Sequence, residues 1–175
     1  MKKIIITIAI LSVICTAVCF FLYEESGSKA ILAAAITFLT TAYHFLMRLA
    51  VGFMFDRIMA NKADYTKRWY QCKAWEKKIY KRLNVKHWKR LLPTYDTSLF
   101  DPKKHSWDEI AQASCQAELV HETIVLLSFI PIVFSIRFGA VMVFIITSVL
   151  AALFDLAFVM IQRYNRPRII RLIGR

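Results

Sequence analysis

Four apolar blocks alternate with charged segments along the chain. The first, Ile4 to Tyr23, runs for twenty residues without a charge. About twenty apolar residues suffice to cross a bilayer as a helix. The second extends from Ala30 to Met47 and, after Arg48, continues to Phe55. A third, Leu119 to Phe138, is interrupted by Pro131, and a fourth, Ala140 to Ile161, carries one acid, Asp155. Proline is tolerated inside a membrane helix because neighbours and water satisfy the carbonyl it frees. Lys2 and Lys3 ahead of the first block are reminiscent of a signal peptide. Its apolar core exceeds the usual ~7–15 residues and no A-x-A site follows, so it reads as an uncleaved anchor. The pattern predicts an all-α integral membrane protein: a single membrane domain over 1–175 with spans of about 4–23, 30–55, 119–138 and 140–161. A cytoplasmic insertion fills about 56–118.

Composition agrees with this reading. Of 175 residues, 58% are hydrophobic, above the roughly 45–50% of soluble proteins. Four Gly and four Pro leave too little turn chemistry for an all-β fold. A net charge of +12 suits nucleic acid or an anionic membrane. A segment that faces lipid already has its anionic partner, so no nucleic acid is expected. Fourteen Lys/Arg fall in 56–118, five after Gln162 and two before the first block, against Lys29 and Arg137 on the other side. The positive-inside rule then places both termini and the insertion in the cytoplasm of a multi-pass cell-membrane protein. Cys15, Cys19, Cys72 and Cys115 form neither a disulfide framework nor a CxxC pair.

Within the insertion, Tyr65, Trp69, Cys72, Trp75, Ile79 and Leu83 recur every three or four residues, as on one helix face. Lys67, Arg68, Lys73, Lys77, Lys78, Lys81 and Arg82 lie between them. Such a basic, aromatic-edged helix fits the plane of a membrane interface, while packing against the rest of the domain is the alternative. Further on, Ser106-Trp107-Asp108-Glu109 has the form of a capping box and predicts a helix starting near Trp107 and continuing into the third span.

That helix brings Glu118 and His121 to one face, at i and i+3, with Glu122 adjacent. Titratable groups at a membrane edge are paired or functional. Glu-x-x-His is also a fragment of a di-iron carboxylate motif, which needs two copies and two more Glu. It occurs once, and His44, His87 and His105 have no metal-ligand spacing. No H-x4-D arrangement, serine elbow or phosphate loop is present. After the fourth span comes Gln162-Arg163-Tyr164-Asn165-Arg166-Pro167-Arg168. Its forked guanidinium groups suit phosphate or carboxylate, and simple anchoring is the other reading.

Trp75-Glu76, Tyr80, Leu83, Trp88-Lys89, Leu92-Pro93, Ala117 to His121 and the Gln162–Arg168 run, in that order, resemble the glycosyl-diaponeurosporenoate acyltransferase family. Glu122 departs from the aromatic or His common there. The resemblance implies transfer of a fatty acyl group onto a sugar hydroxyl of a membrane glycolipid at the cytoplasmic face, as in the last step of staphyloxanthin-type carotenoid synthesis. It implies an acyl thioester as co-substrate, no bound cofactor and no metal. His121 would be the general base, oriented by Glu118. Trp75, Trp88, Lys89, Arg163, Tyr164, Asn165, Arg166 and Arg168 would bind substrates, with the arginines on donor phosphate or the oxyanion. Alternatively, Glu118, His121 and Arg163 form a network that ties two spans together in a non-catalytic scaffold or lipid-binding subunit. A metal-dependent oxidative enzyme is a third reading.

Overall fold

Each apolar block is helical, the third in pieces, in the computed structural model, which describes residues 2–88 and 98–173. Helix α1 spans Lys2–Ser26, α2 Lys29–Met59, α3 Ala74–Arg82, α4 Val85–Trp88, α5 Trp107–Leu127, α6 Ser135–Phe138 and α7 Val141–Ile170. No strand occurs among the described residues. Four stretches are long and apolar enough to cross a membrane: Lys3–Ser26, Lys29–Met59, Trp107–Phe138 and Val141–Ile170. The chain is thus compatible with a multi-pass membrane protein.

Local chemistry sets the breaks. Gly27, at φ 62°, ends α1 and returns its N–H to the Tyr23 carbonyl at 2.8 Å, a left-handed cap that glycine adopts without strain. Pro131 sits in a 3₁₀ turn, Ile130–Phe134, that interrupts the third span. Helix α5 begins as the capping box requires. The Ser106 N–H donates to Glu109 Oε2 at 2.8 Å, and the Glu109 N–H donates to Ser106 Oγ at 3.2 Å.

One expectation needs revision. The helix expected from Tyr65 to Leu83 begins only at Ala74. Asp64 accepts from the Thr66 N–H at 2.9 Å and from its hydroxyl at 2.5 Å, folding the chain into a turn. A 3₁₀ turn at Arg68–Tyr70 follows, and the Lys73 N–H donates to Glu76 Oε2 at 2.5 Å as the helix starts. Helix α7 outruns its apolar block, so the Gln162–Arg168 run is helical. At 1.5 Å per residue a thirty-residue helix is about 45 Å long, against roughly 30 Å of hydrocarbon. One end must therefore reach beyond the apolar layer.

The chain divides into two compact units. One comprises Lys2–Val51 and Ile124–Phe154. It buries mainly small or apolar side chains, among them Ala9, Ala35, Ile36, Ala42, Ile124, Phe144 and Ala152. Small residues let helix backbones approach where no hydrophobic drive exists between them. Its hydroxyls return to carbonyls one turn back, as Thr16 does to Ser12 and Thr147 to Val143, both at 2.7 Å. Arg48 donates to the His44 carbonyl at 3.0 Å and the Ala151 carbonyl at 3.4 Å. The other unit comprises Gly52–Thr123 and Asp155–Arg175. It buries Glu76, Glu118, Asp155, Arg163 and Arg166 beside Tyr70, Tyr80, Ile110 and Val159. The ionisable chemistry is concentrated there.

Candidate functional site

On α7, Asp155, Val159, Arg163 and Arg166 follow one another at i, i+4, i+8 and i+11 and share a face. Glu118 of α5 meets the two arginines with both oxygens: Oε1 to Arg163 Nη1 at 2.6 Å and Oε2 to Arg166 Nη2 at 2.5 Å. Its side chain is wholly buried. A carboxylate at that depth is tolerable only when paired.

Arg163 has further partners. Its Nε lies 2.9 Å from Glu76 Oε1, and it donates to the Trp69 carbonyl at 3.1 Å and the Gln71 carbonyl at 3.3 Å. Arg166 donates to the Tyr70 carbonyl at 3.0 Å and to the Ser114 carbonyl at 2.9 Å, and stacks on the Tyr70 ring. The two guanidinium forks therefore clamp the 69–71 turn and the start of α3 onto α5 and α7. Of the three arginines expected on donor phosphate, only Arg168 is exposed. Arg163 and Arg166 are committed to protein acceptors.

His121 has a different orienting partner from the one expected. Its Nδ1 lies 2.8 Å from Asp155 Oδ1, whereas Glu118 is occupied by arginines. The correction is geometric: Glu118 and His121 stack on one helix, while Asp155 approaches from the opposite one. The imidazole lies flat against Phe158, with centroids 4.6 Å apart and planes 9° from parallel. With the carboxylate accepting, Nδ1 carries the proton and Nε2 the lone pair. The ring is partly exposed, at 22%, and Asp155 is buried.

Among the described residues, grooves open on this unit, two of which bear on the site. The larger, about 700 Å³, is lined by Trp69, Trp75, Ile79, Leu156, Val159 and Met160, with Glu122 and Arg163 among its polar groups. Trp69 Nε1 donates to Glu122 Oε2 at 3.1 Å. His121 is not in its lining. On α5, Glu122 and His121 flank Glu118 on opposite sides, about +40° and −60° around the helix.

The second groove, about 460 Å³, is lined by Cys72, Lys77, Tyr164, Pro167, Arg168 and Arg171. Arg168 donates to the Tyr164 hydroxyl at 2.6 Å and lies over its ring at 4.3 Å. Trp88 packs with Cys72, Met160 and Tyr164 around Tyr80, Val85 and Ile161, so it belongs to a small core. Burial pushes the Tyr80 phenol up to about 12 and raises the Cys72 thiol above its ordinary value, with nearby Glu76 adding to both. Asn165 is half-buried on α7, and Lys89 lies outside the described residues. Asp155, Lys77 and Arg171 are the groups that sequence reasoning missed as site residues. A lone acid in an apolar span was the available signal for the first.

Residues 66–175 match the family model described as glycosyl-4,4'-diaponeurosporenoate acyltransferase. Comparison with curated proteins and with solved structures finds no match. The matched region takes in both grooves, the Glu118 network and the His121–Asp155 pair, and begins after α2 has ended.

Proposed function

Because the chain belongs to the glycosyl-4,4'-diaponeurosporenoate acyltransferase family, we propose that it moves a fatty acyl group onto a sugar hydroxyl of a membrane glycolipid at the cytoplasmic face. Family membership supports the acyltransferase role. The observation that carries the chemistry is the His121–Asp155 pair, a base held in one tautomer by a buried carboxylate.

Nε2 of His121 takes the proton of the sugar hydroxyl as its oxygen attacks the acyl carbonyl. The C–O bond forms, the thioester C–S bond breaks, and the imidazolium gives its proton to the departing thiolate. Asp155 stabilises the imidazolium. A base so placed contributes about 10²–10⁴ in rate. Cys72, a thiol kept neutral by burial, is a poor acyl carrier, which favours direct transfer. Glu118 acts through Arg163 and Arg166, which hold the 69–71 turn. The 700 Å³ groove is of ligand-pocket size. Its apolar wall and Trp75, 57% exposed, suit a lipid or acyl chain, while the sugar hydroxyl meets His121 outside that groove's lining.

Trp69, Trp75, Ile79 and Leu83 are exposed while α3 buries Glu76 and Tyr80. That open apolar edge with its lysines and arginines supports seating of the insertion in the bilayer interface. The basic excess supports cytoplasmic termini. The scaffold reading has one observation in its favour: the buried Glu118 carboxylate is paired within the protein by Arg163 and Arg166.

Lipid mass spectrometry of membranes expressing wild type or His121→Ala at matched levels tests the proposal. A glycolipid heavier by one fatty acyl group in the wild type alone is the expected result. No difference, with folded protein and a range of glycolipid acceptors supplied, would move the chain to the scaffold class.

A further inference from the structure

The smaller groove combines three features. Lys77 from α3, Arg168 from α7 and Arg171 just beyond it line one 460 Å³ recess, and no acidic residue lines it among the described residues. Among the described residues of this unit the two buried cations, Arg163 and Arg166, meet Glu118, whereas Lys77, Arg168 and Arg171 are exposed. Here the cations converge without a carboxylate. Like charges that share a recess repel unless an anion joins them.

The hydrogen bonding is arranged for an incoming acceptor. Tyr164 accepts from Arg168 Nη2 at 2.6 Å, so its own O–H is free to donate elsewhere. The Arg168 guanidinium is held over the Tyr164 ring at 4.3 Å, and that ring meets Tyr80 edge-on, with centroids 6.4 Å apart. Arg171 Nε donates to the Pro167 carbonyl at 3.1 Å, which fixes its head while leaving its terminal nitrogens for another acceptor. Two oriented forks, an ammonium and a phenol are a donor set for a phosphate group, which accepts several charge-assisted hydrogen bonds at once.

We propose that this groove is a phosphate-binding subsite, formed by Lys77, Tyr164, Arg168 and Arg171, that holds the phosphorylated end of the acyl donor. The assignment of the ligand as donor rests on the acyltransferase reading; the phosphate chemistry does not. It moves the donor-anchoring role from Arg163 and Arg166, which are committed to carboxylates and carbonyls, to the exposed cations beside them. A phosphate group can come from a soluble nucleotide thioester or from a phospholipid headgroup, and the same donors serve either.

The test uses the full chain in nanodiscs of phosphatidylcholine, titrated with 3',5'-ADP as the soluble probe. A second arm measures retained phosphatidylglycerol by native mass spectrometry. Lys77→Gln and Arg171→Gln change exposed side chains, and Lys103→Gln serves as a matched charge control outside the groove. Saturable nucleotide binding, weakened roughly tenfold by each groove variant and not by the control, is expected for a soluble donor. Selective loss of retained phosphatidylglycerol in the same two variants assigns the subsite to a phospholipid instead. If neither ligand responds to these substitutions, the subsite is overturned. Phosphate binding that persists in His121→Ala, beside an absence of acyl transfer in the wild type, would count against the transferase reading alone.

Discussion

Glu118 carries two arginines on one buried carboxylate, and this makes it sensitive to substitution. Glu118→Gln keeps the shape but leaves Arg163 and Arg166 short of a buried counter-charge. Breaking such a pair costs about 3–5 kcal/mol, so a marked fall in the melting temperature of the purified protein is expected. An unchanged melting temperature would show the network to be dispensable. Asp155→Asn separates catalysis from stability. The amide can hold the ring but favours the wrong tautomer, and transfer should fall by about 10²–10⁴, with the fold retained by size-exclusion profile. A stability loss with unaltered turnover would make Asp155 purely structural. The placing of Glu118 and His121 on one side of α5 was legible because polar groups at one-turn spacing stand out against an apolar helix. Their partners were not. Which of Glu118 and Asp155 reaches the imidazole depends on how α5 and α7 are rotated toward each other, and the spacing within one helix carries no such information.

Helix boundaries show the same division between local and non-local signals. The start of α5 was readable because the Ser106–Glu109 box is complete within four residues. Ser106→Ala removes the acceptor for the Glu109 N–H and should cost about 1 kcal/mol, seen as faster exchange of the amides in the first turn of α5. Helix α3 was misjudged in length because the apolar period from Tyr65 to Leu83 persists through a turn held by Asp64 and Thr66. Its buried face also differs from its apolar face: Glu76 and Tyr80 point inward, drawn by Arg163 and by Tyr164. The Tyr80 phenol has a measurable signature. It keeps its proton to about pH 12 in the fold, against an ordinary value of 10.0. Between those values the unfolded chain binds fewer protons, so stability is whole below pH 10 and declines as pH rises through that window. Tyr80→Phe should flatten the decline in a series of thermal melts between pH 9 and 12. An equally steep decline would assign the alkaline sensitivity to other groups.

Across the whole chain, hydropathy alone locates the four long helices, since bilayer thickness imposes a length that any reader of the sequence can count. The sorting of side chains between the two units is subtler. One unit closes on alanine and hydroxyls; the other gathers nearly all the buried charge, although the helices of both are continuous in sequence. This arrangement follows if the charged unit lies at the edge of the bilayer, where water and headgroups lower the cost of assembling ions before they are buried. The positive-inside rule then gives a testable expectation for which edge. Ser28, in the short link between α1 and α2, and Lys103, ahead of α5, should lie on opposite sides. With the four native cysteines replaced by alanine, a cysteine placed at Lys103 should react with a membrane-impermeant maleimide only after the cells are opened, and one at Ser28 in intact cells. The reverse pattern would turn the chain over and put both grooves outside the cell. A cytoplasmic acyl thioester could not reach them there, so the orientation decides whether the proposed donor chemistry has access to its site.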